Sequence, residues 1–257
     1  MSALRARCST DVTKASFTSQ SSYDVRFEWG ERGLRALAGH AKLFVIVDVL
    51  SFSTCVAMAC ARGAAVFPYP WKDRRVAEFA AARRALIAGP RWSAESYSLS
   101  PASLAAIPAD ARLVLPSPNG SQLAFLAAES GEVFAGSLRN ASAVAARVRA
   151  RGGSVAVIAA GERWSDDESL RPAAEDLIGA GAIIARLHGS VSPEAALARA
   201  AYESAAANLA RALRECASGV ELAERGFERD VQLAAELDAS PVAPLLRDGA
   251  FTHERES

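Results

Sequence analysis

Leu43-Phe44-Val45-Ile46-Val47 is an unbroken apolar run that ends on a charge, Asp48, and continues through Val49-Leu50 into Ser51-Phe52-Ser53-Thr54. Five apolar residues without a polar alternate suit a strand covered on both faces, as in a parallel sheet. The Ser and Thr that follow are cap-type residues, and they lead into a predicted helix over 55–62 that Gly63 stops. A charge at the end of such a strand is costly unless something compensates it, so Asp48 is the first candidate functional residue.

Working outward, the same alternation recurs. Residues 66–70 read as a strand ending in prolines. Residues 76–87 read as a helix with Val76, Phe79, Ala80, Arg83 and Ile87 at helical spacing, closed by Gly89. The stretch 90–111 lacks a period and reads as loop with a short helix. Strands follow at 113–115, 133–135 and 155–159, with helices from Gln122, over 141–151 and over 173–187. Ser192-Pro193-Glu194 opens a last long helix, Ser as cap and Pro at the first position, predicted to run to about Cys216 with Gly219 beyond it. Strands alternating with helices predict an α/β fold, three layers α/β/α around a mainly parallel sheet, either as one body or as two lobes. The expected division is a flexible N-terminal tail over 1–22, an α/β domain over 23–251 and a polar C-terminal tail over 252–257.

Composition narrows the function. The 257 residues carry 29 Lys+Arg against 29 Asp+Glu, so the chain lacks the overall basic field of a nucleic-acid binder. No apolar run approaches the roughly 18 residues that span a bilayer, and no secretory leader is legible at the N-terminus. Cys8, Cys55, Cys60 and Cys216 show no metal-finger spacing and read as free thiols of a reducing, cytoplasmic compartment. His40, His188 and His253 have no partner spacing for a metal site. Gly179-Ala180-Gly181-Ala182 falls inside a helix, where it predicts close packing and not a nucleotide loop.

Three strand ends share one chemistry: Asp48 with Ser51, Ser53 and Thr54; Ser117-Pro118-Asn119-Gly120-Ser121; and Ser137 to Asn140. Each offers hydroxyls and helix N-terminal amides, which suit an anion, and ligands of open parallel sheets sit at such ends. The alternative is that these Ser and Asn residues only cap their own helices. Carboxylates suited to a hard cation form the second ingredient: Asp48, Glu175-Asp176 near a helix start, and Asp230. Helix-dipole pairing and a surface ion pair are the plainer roles for the last three.

Taken in order, these stretches resemble the 2-phosphosulfolactate phosphatase family. The resemblance rests on Val47-Asp48-Val49-Leu50 with Ser53-Thr54, on Ser117 to Ser121, on Gly136 to Ala145, on Ala159-Ala160-Gly161, on Glu175-Asp176 with Gly179 to Ile183, and on Gly226 with Asp230. It implies a Mg²⁺-dependent phosphohydrolase converting 2-phospho-3-sulfolactate and water into 3-sulfolactate and phosphate, a step towards coenzyme M. Its implied partner is a small anionic phosphorylated substrate, and a homo-oligomer is open. Carried over, the catalytic candidates are Asp48, Asn119 and Asn140. The substrate-binding candidates are Ser51, Ser53, Thr54, Ser117, Gly120, Ser121, Ser137, Arg139 and Arg91. The metal candidates are Asp48, Glu175, Asp176 and Asp230. Asp48 could be a ligand, a general base or a nucleophile, with the first two ranked ahead.

The chain departs from the family pattern at several places. Ser51 stands where the family has an Arg, and a hydroxyl cannot replace a guanidinium's charge. Gly89-Pro90-Arg91 lacks the acid of a Gly-Glu-Arg motif, Leu99 replaces an Asn, and Ala234 replaces a Cys. Arg91 or Arg139 is expected to supply the missing charge. The alternative is a non-catalytic relative that binds an anion.

Overall fold

The computed structural model describes residues 17–70, 75–89, 91 and 97–253. The residues of the expected tails at 1–16 and 254–257, with Cys8 and Pro90, lie outside the described set. Strands β1 (Val25–Trp29), β2 (Leu43–Val47), β3 (Ala65–Tyr69), β4 (Leu86–Ile87), β5 (Arg112–Pro116), β6 (Glu132–Gly136) and β7 (Val155–Ala159) belong to one nine-stranded sheet. A two-stranded ribbon, β8 (Glu162–Arg163) with β9 (Leu170–Arg171), stands apart, and the hairpin β10 (Pro244–Arg247) and β11 (Ala250–His253) completes the sheet.

The sheet order is β1-β7-β2-β6-β10-β11-β3-β5-β4. The block β1-β7-β2-β6 is parallel throughout, and so is β3-β5-β4. Between them the hairpin pairs antiparallel to β6, within itself and to β3. Three reversals make the two parallel blocks run in opposite senses along the ladder.

The opening strand behaves as its composition requires. Leu43, Val45 and Val47 enter one hydrophobic cluster and Phe44 and Ile46 the other, all of them buried. The first cluster is closed by α5 (Ala141–Arg151), α6 (Ala174–Ile184), α7 (Pro193–Ala205) and α8 (Leu209–Glu215); the second by α1 (Gly30–Leu37), α2 (Phe52–Ala61) and α4 (Gly120–Ala127). With α3 (Val76–Arg83), α9 (Ala217–Glu224) and α10 (Glu228–Ala234) added, the result is the three-layer α/β/α fold. Gly181 shows why α6 needs small residues: an added Cβ would lie 2.0 Å from the Ala198 carbonyl of α7. The Gly-Ala-Gly-Ala run is a packing motif. Ser192 caps α7 by accepting from Ala195 N at 3.1 Å.

Some boundaries differ from the sequence reading. Arg84 takes a left-handed conformation and ends α3, so Leu86 and Ile87 leave the helix and form an edge strand. The long helix expected from Ser192 to Cys216 breaks at Asn208, whose side chain accepts from Arg211 N and starts α8, and Cys216 is extended and opens α9. Gln20 is buried, and its amide both donates to Phe27 O and accepts from Phe27 N, anchoring β1 from within the region read as tail. Thr252 and His253 lie in β11. No helix among the described residues is long and apolar enough to cross a membrane.

Candidate active site

Asp48 leaves the end of β2 and is nearly buried. Its Oδ1 accepts from Phe52 N and its Oδ2 from Gly120 N, both at 3.0 Å, so the starts of α2 and α4 converge on one carboxylate. Gly120 has no room for a side chain, because a Cβ there would sit 2.3 Å from the Phe52 ring and 2.8 Å from Asp48 Oδ2. The β5–α4 junction therefore reaches Asp48 although β5 belongs to the other parallel block. Burial is the main reason the Asp48 carboxyl is pushed up to about 6, with the two amides and Arg91 acting against it and Glu175 adding to it.

Three more acids gather around Asp48. Asp176, at the start of α6, accepts from Val49 N at 2.7 Å and from Gly161 N at 2.8 Å, tying the ends of β2 and β7 together. Burial raises its carboxyl, and the charges of Asp48 and Glu175 push the same way. Glu175 is buried beside it, and its Oε2 has no hydrogen-bond partner among the described residues. Glu162 opens β8 and is pushed up to about 8, first by burial and then by the charges of Asp48 and Glu175. Its Oε2 accepts from Asn119 Nδ2 at 3.1 Å. Glu162 was not singled out from sequence, yet it directly follows Ala160-Gly161 at a strand end, the same signal that marks Asp48.

A second network adjoins the first. Arg91 donates to Asp230 Oδ2 at 2.7 Å and to Ser51 Oγ at 3.0 Å. Asp230 Oδ1 accepts from Ser100 Oγ and Ala102 N. Of the two arginines expected to offset the loss at Ser51, Arg91 stands against Ser51. Arg139 instead donates to Leu233 O and pairs with Glu236. Asp230 is the anchor of Arg91, with both oxygens engaged, and Asp176 holds two backbone amides. Asp48 likewise holds two, so among the four expected metal ligands Glu175 alone has a buried oxygen with no hydrogen-bond partner among the described residues.

The hydroxyls take a different part from the one expected. Ser53 Oγ donates to Ile46 O and accepts from Asp48 N, Thr54 Oγ1 donates to Val49 O, and Ser121 Oγ donates to Leu115 O. Ser117 Oγ accepts from Asn119 N. Ser137 and Asn140 form a reciprocal cap in which Asn140 Oδ1 accepts from Ser137 N and Oγ, while Nδ2 donates to Ala135 O and Val242 O. Both polar atoms of the Asn140 side chain are thereby used, and the bond to Val242 O holds the chain leading into β10. Buried hydroxyls that must satisfy themselves locally fix strand ends and leave little for a ligand.

Beyond Asn119 and Glu162 opens a cavity of about 480 Å³ whose walls include Trp29, Leu123 and Leu170. Cys55, Cys60 and Cys216 are free thiols, and His40, His188 and His253 lie at the surface.

Buried acids, converging amides and an adjoining cavity at the carboxyl end of β2 mark an α/β enzyme with an acidic centre. The profile of the 2-phosphosulpholactate phosphatase family matches residues 34–249. The chain belongs to that family and is a phosphatase, a phosphoric monoester hydrolase acting on a small phosphorylated substrate. Among curated proteins, a "Probable 2-phosphosulfolactate phosphatase" of Pseudothermotoga lettingae is 28% identical over 216 residues, 80% of this chain and 90% of that protein.

Proposed function

We propose that the chain hydrolyses a small anionic phosphomonoester in a Mg²⁺-dependent reaction, at the centre formed by Asp48 and Glu175. The observation that carries this is Glu175 Oε2. A buried carboxylate oxygen with no donor is costly, and it lies in a cluster with Asp48, Glu162 and Asp176 whose carboxyls are all pushed up, first by burial and then by one another's charge. A divalent cation relieves both the missing partner and the repulsion.

Among the described residues no three His, Cys, Asp or Glu side chains form a ready-made cage. This suits Mg²⁺, which keeps most of its waters and takes one or two carboxylates plus substrate oxygens. Asp48 and Glu175 would hold it. When bound, it polarises phosphoryl oxygens and offsets charge on the leaving oxygen.

The chain's own groups do the rest. Phe52 N–H and Gly120 N–H fix the rotamer of Asp48, leaving the remaining lone pairs of its oxygens to orient an attacking water and accept its proton. Arg91, held by Asp230, places a guanidinium against Ser51 for an anionic oxygen of the substrate. The family's reaction on 2-phospho-3-sulfolactate is one candidate; the family Arg absent at Ser51 favours a related ester with a different anionic arrangement.

The test is phosphate release from a panel of phosphomonoesters, with Mg²⁺ and with EDTA. Turnover that needs Mg²⁺ and that disappears in Asp48→Asn, with the far-ultraviolet circular dichroism retained, supports the reading. Full turnover in EDTA removes the metal from it.

A further inference from the structure

The cavity of about 480 Å³ next to the acidic centre has walls the reaction so far leaves unused. Asn119 and Glu162 form its seam with the centre, since Gly120 binds Asp48 and Asn119 binds Glu162. Away from the seam, Trp29 at the end of β1, Leu123 of α4 and Leu170 of β9 give the walls an apolar part, beside the polar Gln122, Arg163 and Ser169. Leu170 folds back over Gly30, where an added Cβ would lie 3.4 Å from its Cδ1, so the β8–β9 ribbon closes one side. At the rim stands Arg32, exposed and paired with no described acid. Glu31, on the same rim, is taken up by Arg35 and Gln122.

We propose that this cavity receives the alcohol part of the substrate, and that this part is a bulky, partly apolar group carrying a second anionic group bound by Arg32. A short, fully polar acid would leave the half-buried indole of Trp29 and the exposed Leu170 wet. The volume falls in the range of about 300–1,000 Å³ in which apolar-lined pockets hold whole organic ligands. Trp29 and Arg32 also lie outside the span that the family profile matches, so family membership does not specify what they bind. The inference rests on the phosphatase reading, with the phosphate at the acidic centre.

The experiment compares 4-carboxyphenyl phosphate, phenyl phosphate and phosphoglycolate with Mg²⁺, in the full chain and in Arg32→Ala. The expected order of kcat/KM is carboxyphenyl, then phenyl, then glycolate. In Arg32→Ala the preference for carboxyphenyl over phenyl falls by about tenfold or more, the worth of one charge-assisted hydrogen bond. A preference for phosphoglycolate, or an unchanged carboxyphenyl-to-phenyl ratio, overturns the inference and leaves the phosphatase reading standing. If no ester is hydrolysed, the phosphatase reading falls, and thermal melting then decides the cavity. A rise in Tm with 4-carboxyphenyl phosphate that Arg32→Ala loses supports the assignment, and no rise overturns it.

Discussion

Replacing Glu162 by Gln tests the electrostatics of the centre without reference to any substrate. The Glu162 carboxyl stands at about 8 in the folded chain against its ordinary 4.5. At about 1.36 kcal/mol per tenfold change in proton affinity, that difference amounts to roughly 3 to 6 kcal/mol. The folded state holds the proton more tightly than the unfolded one. Its stabilising effect is therefore complete below pH about 4.5, is lost as pH rises towards 8, and is absent above that. Asp48, raised from 3.8 to about 6, acts in the same direction over a lower window. Gln keeps an acceptor for Asn119 Nδ2 and removes both the titration and the repulsion of Asp48 and Glu175. Urea unfolding in EDTA at pH 5, 7 and 9 reads the effect. The natural chain should lose several kcal/mol more than Glu162→Gln between pH 5 and 9, making the variant the more stable at pH 9. Parallel curves for the two proteins would refute the account of a buried, mutually repelling acid cluster.

Two further substitutions separate positioning from chemistry. Gly120→Ala forces a methyl into the Phe52 ring and Asp48 Oδ2, and it should cost about 1–3 kcal/mol by urea unfolding and most of the turnover, because the amide that orients Asp48 must move. Wild-type stability in this variant would show that the site is looser than described. Asn140→Ala should destabilise by at least about 2 kcal/mol, since it strips partners from Ser137, Ala135 and Val242, while turnover per folded molecule stays within a few-fold of the natural chain. A folded Asn140→Ala protein without activity would return Asn140 to the catalytic set.

Much of this architecture was legible because one physical signal dominates each part. The run Leu43–Val47 had to be covered on both faces, and its side chains do enter two separate cores. The small residues of α6 announced close packing, and Ser192-Pro193 announced a helix start. The C-terminal hairpin was not legible. Its strands are four residues each, one opens with Pro244, and only tertiary pairing between β6 and β3 makes them part of the sheet. The strand-end rule singles out Asp48 and the helix-start acids Glu175 and Asp176, which are buried close together, but passes over Glu162 because it opens a polar stretch that reads as surface. Ser53, Thr54, Ser121 and Asn140 carried an ambiguous signal. The same hydroxyls and amides that could cradle an anion also satisfy strand-end carbonyls, and the structure uses them for that.

The shared hold of Asp48 and Glu175 on a divalent cation is open to calorimetric titration of Mg²⁺ into the natural chain and into Glu175→Gln at pH 8. The account predicts one Mg²⁺ bound by the natural chain, with affinity at least tenfold weaker in the variant, in which the unpartnered oxygen Oε2 no longer belongs to a carboxylate. Equal Mg²⁺ affinity in the two proteins, or no binding to either, would contradict it.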